Sequence, residues 1–362
     1  MIQMMINLAL RVVSLPSEIL INSRTHIALL SSLLMLTGCN VMDSQAPQSE
    51  SDGVNGKDLL FVHQGVDRTY KIFRPENLPD NAPMLFALHG LGGQSEDMYR
   101  IGFNELAKQH GFLAVFPQSL RKTVILNREQ AKMAGLDLDE FCQSNKSSDD
   151  WMKYVCVDGK LVSTAGNVRW NDTSTANGED DVGFLSELAV YLQDRYQLNP
   201  EKTFVTGMSN GAYMSYTLIC QAGGIFNGAA PVAGLSEHSI LNNCAPQGPK
   251  PLLHIHGVDD QLVPITGKRS KGGKKSSVSS AEELVEYFAN LNNYAKKKTM
   301  KATQNATLYK YLPDDDGVEV HYYRIENYGH EWPSSPNRNK PGEKDASGFF
   351  AAEVIWDFFS KY

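Results

Sequence analysis

The sequence predicts an α/β fold: a mostly parallel central sheet with helices on both faces and an opening antiparallel hairpin. Three observations carry this expectation. Continuous apolar runs of strand length, such as Met84–Leu88 and Phe112–Phe116, mark strands covered on both faces. Segments with helical spacing alternate with them. Two short β-prone runs around Gln64-Gly65-Val66-Asp67 precede the series and read as a hairpin.

Taken in order, the hairpin strands are Leu59–His63 and Thr69–Phe73. Met84–Leu88 follows, then a helix over Asn104–His110 and a strand over Phe112–Phe116. Phe184, Leu188, Tyr191 and Leu192 recur at helical spacing and stop before Asn199-Pro200. Thr203–Thr206 reads as a strand and Ala212–Gln221 as a helix. Asn227–Val232, Leu252–His256 and Val318–Ile325 complete the strands; Glu282–Leu291 and Ala351–Phe359 are late helices. Two segments break the rhythm. Residues 121–178 form a long insertion holding Cys142, Cys156, Trp151 and Trp170. A loop of that length in a compact domain is usually functional or mobile, and we expect a wall or partial lid over Ser209, stapled by Cys142–Cys156. Residues 266–280 are basic and rich in Gly and Ser, and read as a solvated loop.

Composition is globular, with 42% hydrophobic and 21% charged residues, which excludes a disordered or fibrous chain. The formal net charge of −7 argues against a nucleic-acid partner, which selects a basic face. Arg24 and His26 precede an apolar run, Ile27 to Leu36, too short to span a bilayer but right for a signal-peptide core. The run ends in Leu36-Thr37-Gly38-Cys39, which resembles a bacterial lipobox. Residues 1–39 are therefore expected to be a lipoprotein-type signal segment of an exported protein, with Cys39 lipidated as its only membrane attachment; the alternative is an ordinary signal peptide and a secreted protein. The stretch from Met1 to Ser23 is long for such a leader. Residues 40–57 read as a polar tether and 58–362 as the catalytic domain. Without Cys39 four cysteines remain, Cys142, Cys156, Cys220 and Cys244. An even number in an exported chain suggests disulfides; three connectivities are open, and sequence neighbours would close loops 142–156 and 220–244.

The chemistry concentrates at Gly207-Met208-Ser209-Asn210-Gly211, between a predicted strand and a predicted helix. A sharp strand-to-helix turn leaves the middle serine exposed at the C-terminal edge of the sheet, the nucleophile elbow of the α/β-hydrolase fold. A serine hydroxyl needs a base and an orienting acid, expected later in the chain in the order acid, then His. His254-Ile255-His256-Gly257-Val258-Asp259-Asp260 leads from a buried strand into a loop, so Asp259 and Asp260 are both candidates, Asp260 preferred. His330, in Tyr328-Gly329-His330-Glu331-Trp332-Pro333, is the expected base; His321 is a rival inside a strand. The oxyanion of the tetrahedral intermediate requires two N–H donors. Asn210 supplies one, and His89-Gly90-Leu91-Gly92-Gly93 offers Leu91 as the other. His254 and His256 at i, i+2 have no third ligand spaced to join them, so no metal is expected, and no organic cofactor is called for. Asp314-Asp315-Asp316-Gly317 lacks calcium-loop spacing and reads as a turn. Trp170, Trp332 and Tyr213 are candidate substrate-wall residues.

The strings HGLGG, DDVGFL, GMSNGAYM, PVAG, HIHGVDDQLVP and YGHEWP occur in that order. Together they resemble the bacterial polyhydroxybutyrate depolymerase and feruloyl esterase family, related to carbohydrate esterases of family 1. The resemblance covers residues 59–362. It implies an esterase with Ser209, Asp260 and His330 as its triad, oxyanion donors at Leu91 and Asn210, and a Cys220–Cys244 disulfide. It also implies that Asp181 caps the following helix. Leu91 stands where many relatives have cysteine, and Ala212 where a second glycine is common. The resemblance implies as substrate a bulky or polymeric ester: a hydroxyalkanoate polyester or a hydroxycinnamate ester. A serine peptidase of the same fold and a catalytically silent binding lipoprotein are the competing readings, since a fold alone does not fix function.

Overall fold

The structure is a computed structural model that describes residues 53–362 except 123–124, 127, 129–130, 132–136, 145–153, 164–166, 175–177, 268–276, 315–316 and 335–342. The signal segment with Cys39, and the tether up to residue 52, lie outside the described residues, as does most of the basic 266–280 loop.

The chain opens with hairpin strands β1 (Leu59–His63) and β2 (Val66–Phe73), then β3 (Met84–Leu88), helices α1 (Ser95–Tyr99) and α2 (Phe103–His110), and β4 (Leu113–Pro117). The insertion contains short strands β5 (Arg121–Lys122) and β6 (Ile125–Leu126), helix α3 (Leu138–Ser144), and β7 (Tyr154–Val157), β8 (Lys160–Ser163) and β9 (Asn167–Val168). Then come α4 (Asp181–Tyr196), β10 (Thr203–Met208), α5 (Asn210–Gln221), β11 (Gly228–Val232), α6 (His238–Leu241) and β12 (Leu252–Gly257). The chain closes with α7 (Ala281–Leu291), β13 (Lys296–Lys301), β14 (Ala306–Leu312), β15 (Val320–Ile325) and α8 (Ala351–Phe359).

One sheet of ten strands runs β1-β2-β4-β3-β10-β11-β12-β15-β14-β13. Pairing from β4 through β15 is parallel, and the strands on either flank are antiparallel. This is the α/β-hydrolase arrangement. Strand alternation sorts the apolar residues into two cores. Along β3, Met84, Phe86 and Leu88 enter one core, while Leu85 and Ala87 enter the other. Helices α4, α5 and α7 cover the first face; α1, α2 and α8 cover the second. Both faces being dry, β3, β4 and β11 are buried at every position, which is why they read as unbroken apolar runs.

Helix ends follow local chemistry. Asp180, not Asp181, caps α4 by accepting the Gly183 N–H. Asp181 is instead buried and paired with Arg68 at 2.6 Å. A buried carboxylate needs a cation more than a helix needs a second cap. Ser280 and Glu283 form a capping box at the start of α7.

The sequence reading misses β13 and β14. Strand β13 (KKKTMK) is exposed at every position and carries no apolar alternation. It closes the edge of the sheet, where lysines discourage pairing with another chain.

Two disulfides are present, Cys142–Cys156 and Cys220–Cys244. The first ties α3 to β7; the second ties the last turn of α5 to the loop after α6, across 24 residues. Replacing Cys220 and Cys244 together by Ala is expected to lower the unfolding free energy by about 3 kcal/mol, read from urea denaturation. A loss below about 1 kcal/mol would show that closing this loop contributes little.

Candidate active site

Strand β10 delivers Ser209 to the C-terminal edge of the sheet in a conformation rare for a non-glycine residue, φ 54° and ψ −119°. Ser209 N–H donates to Val232 O at 2.9 Å, and its own carbonyl accepts from Ala212 and Tyr213 N–H. The turn is possible because strand and helix nearly touch. A Cβ on Gly207 would lie 2.5 Å from the Gly211 carbonyl, and one on Gly211 would lie 2.3 Å from Leu88 O. The Gly-x-Ser-x-Gly pattern is therefore a packing requirement at both glycines.

The loop His89–Gly93 lies against the serine: a Cβ at Gly90 would stand 3.4 Å from Ser209 Cβ. His89 anchors this loop. Its Nδ1–H donates to Gly90 O at 2.7 Å, and its Nε2 accepts from Ser119 N–H at 3.1 Å. Those partners require a neutral ring, and burial lowers its pKa to about 4. The other side of the loop is held by the end of the insertion. Gly92 N–H donates to Val168 O, Trp170 Nε1 to His89 O, and Trp170 N–H to Asn210 Oδ1 at 2.7 Å. Residues 168–170 thus touch both loops expected to bear the oxyanion donors. Neither the Leu91 N–H nor the Asn210 N–H has an acceptor among the described residues.

Trp170 is therefore not the wall residue expected from sequence. It is fully buried, tilted against His89 at 5.0 Å between ring centres. Its indole N–H finds an acceptor only beneath the loop, and a buried Trp needs one. Trp332 is likewise packed inward, edge-on to Phe103. Tyr213 is half-buried in the first turn of α5.

Strand β12 ends in the loop that holds both candidate acids, and burial separates them: Asp259 is exposed, Asp260 buried. Asp260 Oδ2 accepts from His330 Nδ1 at 2.7 Å, and Oδ1 accepts from the N–H groups of Leu262 and Val263. Burial alone would raise the pKa of this carboxyl. Hydrogen bonds from His256, His330 and the Val263 N–H outweigh it and hold the group well below the usual carboxylate range. The His330 loop is fixed from behind by Asp345, which accepts from Tyr328 OH and Ser334 N–H. No hydrogen bond joins Ser209 Oγ to His330, as is common before substrate is bound. His321 lies within β15, bonded to Glu319 and packed on Phe358, away from this cluster.

One residue escapes the sequence reading: Tyr216 is hydrogen-bonded to His254, and His254 to His256, in a buried row whose last ring lies 3.3 Å from Asp260 Oδ2. The i, i+2 spacing of the histidines is the signal, since it places both rings on one face of β12. Arg169 and Asp172, paired at 3.2 Å, also sit beside Asn210. No cluster able to hold a metal ion occurs among the described residues.

Comparison with known proteins fits this geometry. No family profile matches the chain. A bifunctional acetylxylan esterase/xylanase of Neocallimastix patriciarum is 22% identical over 303 residues, covering 83% of this chain and 34% of that protein. A poly(3-hydroxyalkanoate) depolymerase C of Paucimonas lemoignei is 22% identical over 290 residues, covering 72% and 58%. The chain thus spans only part of these two relatives. A feruloyl esterase D of Neurospora crassa is 23% identical over 345 residues, covering 91% of this chain and 96% of that one. Among solved structures, an acetyl xylan esterase from Aspergillus awamori superposes with TM-score 0.51 at 14% identity, over 85% of this chain and all of that one. That likeness establishes the fold.

The buried neutral His89 gives a pH dependence. Unfolded, the ring takes up its proton near pH 6.5; folded, near 4. Unfolding therefore binds a proton between these values, and stability falls as pH falls through them, by up to about 3 kcal/mol from this group. In melting curves from pH 7 to 4, His89→Gln should flatten the decline; an unchanged slope would show that the ring is charged or exposed in the folded state.

Proposed function

We propose that this chain is a carboxylic-ester hydrolase that works through Ser209, His330 and Asp260 by way of an acyl-enzyme. The observation that carries the reading is the buried Asp260 carboxylate bonded to His330 Nδ1 at 2.7 Å, on the sheet edge where Ser209 occupies a strained elbow. The named esterases to which the chain is similar support it.

In this reading Ser209 Oγ attacks the ester carbonyl carbon and His330 Nε2 takes the hydroxyl proton. Asp260 fixes the tautomer that leaves Nε2 free and stabilises the imidazolium. The oxyanion lies between the N–H groups of Leu91 and Asn210, at the positive end of α5. Collapse expels the alcohol, which takes the proton from His330. Water then repeats the sequence on the acyl-enzyme and releases the acid. We infer a hydroxyalkanoate polyester or a hydroxycinnamate ester as substrate. This follows from relatives named as a poly(3-hydroxyalkanoate) depolymerase and a feruloyl esterase. The two disulfides suit an exported protein, and the apolar run before Cys39 suits a lipid anchor there.

The test is a panel of p-nitrophenyl esters, methyl ferulate, acetylated xylan and hydroxybutyrate oligomers. Ser209→Ala is expected to remove at least about 10⁴ of the activity without loss of folding. Full activity in that folded variant would end the assignment. Asp260→Asn should lower kcat by about 10³- to 10⁴-fold, and Asp259→Asn by less than about threefold. Equal losses would move the orienting role off Asp260.

A further inference from the structure

Behind the acid–base pair lies a row of buried polar groups for which the mechanism above has no use. Tyr216 on α5, His254 and His256 on β12, and Asp260 are each at most 1% exposed. Tyr216 Oη lies 2.7 Å from His254 Nδ1, and His254 Nε2 lies 3.1 Å from His256 Nδ1. His256 Nε2 lies 2.9 Å from Val263 O and 3.3 Å from Asp260 Oδ2.

The direction of this row follows from its last member. Both groups facing His256 Nε2, a carbonyl and a carboxylate, only accept, so Nε2 carries the proton. In the neutral ring Nδ1 then accepts, and His254 Nε2 must donate to it. His254 Nδ1 is left as the acceptor for the Tyr216 hydroxyl. Burial and the neighbouring His256 keep His254 uncharged. Each link fixes the next, and the reverse tautomer at any ring would set two donors or two acceptors face to face.

We propose that Tyr216, His254 and His256 are positioning residues, a one-way donor row that holds the Asp260 carboxylate in the rotation His330 requires. The Oδ1 atom is already fixed by the Leu262 and Val263 N–H groups. His256 Nε2–H donates to Val263 O, in the loop whose Val263 N–H holds Oδ1, and stands 3.3 Å from Oδ2, whose ionisable neighbours are His256 and His330. Without it the carboxylate is free to tilt, and Oδ2 concentrates more charge on the His330 proton. The proposal rests on reading Asp260 and His330 as acid and base of the esterase.

The test uses the full chain, with p-nitrophenyl acetate as substrate and a fluorophosphonate to titrate reactive Ser209. Per titrated site, His256→Leu should lower kcat about 10- to 100-fold, the range for removing an outer partner of a functional imidazole. KM should hold, and the acid limb of kcat/KM should move to higher pH. His256→Gln, which returns a donor near the Nε2 position, should restore most of both. Tyr216→Phe removes one hydroxyl and keeps the ring, so it folds if the leucine variant does not; it should lower kcat about two- to tenfold. A role in packing alone would reduce the folded fraction but leave kcat per titrated serine and the pH profile unchanged, and that result overturns the proposal. If the wild type neither hydrolyses esters nor takes up fluorophosphonate, the esterase reading fails instead. The row is then judged by the downfield Nδ1 proton resonance of His330. Its loss in His256→Leu and survival in His256→Gln supports the row; its persistence in both overturns it.

Discussion

The contact between the first turn of α5 and the ends of β3 and β10 is the constraint on which the site depends. Gly211 sits so close to Leu88 and His89 that a single added carbon would overlap two carbonyl oxygens. That closeness brings the nucleophile loop and the His89–Gly93 loop into one place. It also leaves the chain too little length to turn in a relaxed way, so Ser209 takes positive φ. Such a residue costs on the order of 1–3 kcal/mol. The Val232 carbonyl, which accepts the Ser209 N–H, and the two helix N–H groups on the Ser209 carbonyl offset it. The strain is thus held by hydrogen bonds to the elbow's own backbone.

A second constraint acts from the insertion. Its final residues are wedged between the two loops, with the backbone of Trp170 paired to the Asn210 side chain and its indole to His89 O. In a region where the N–H groups of Gly92, Gly93, Ser209 and Trp170 all have acceptors, those of Leu91 and Asn210 do not. Leu91 is open to solvent, but Asn210 is buried, and a buried donor left so calls for a reason. In the proposed mechanism a transient oxyanion supplies one. Donors fixed before the reaction need no reorganisation when charge develops. The insertion thereby bears on the chemistry through its closing strand and Trp170, whatever its outer part contributes.

Much of this was legible in the sequence, for particular physical reasons. The strands β3, β4 and β11 are dry on both faces, so their burial is written as an apolar run. The Ser209 elbow is written in glycines because only glycine fits the gap. What stayed illegible depends on partners distant in the chain. Trp170 looks like a free aromatic until His89 O, 81 positions away, is known to accept from it. Strand β13 has no apolar signature because an edge strand with both faces wet needs none. His254 and His256 read only as an incomplete metal pair because neither Tyr216 nor the rotation of Asp260 can be seen from β12 alone. Asp181 reads as a helix cap until Arg68 is placed beside it.

The electrostatics of Asp260 tie these strands of argument together. A carboxylate taken out of water loses several kcal/mol of solvation and, left alone, would take up a proton and become useless to a histidine. Here three donors converge on it, two backbone N–H groups and the His330 imidazole, with His256 Nε2 a further 3.3 Å contact. The backbone pair comes from the same loop that buries it, so the fold that imposes the penalty also supplies part of the compensation. Imidazoles supply the remainder. In the proposed mechanism His330 keeps one nitrogen for the substrate and gives only its Nδ1. That leaves one acceptor position of a buried anion open, facing β12. A lysine or arginine there would neutralise the carboxylate and compete with the imidazolium that it has to stabilise. A backbone N–H cannot reach it, because those of β12 are committed to the sheet. A neutral imidazole satisfies the lone pair without adding charge, provided that its proton is pinned on the correct nitrogen. In the proposed row His254 and Tyr216 do the pinning.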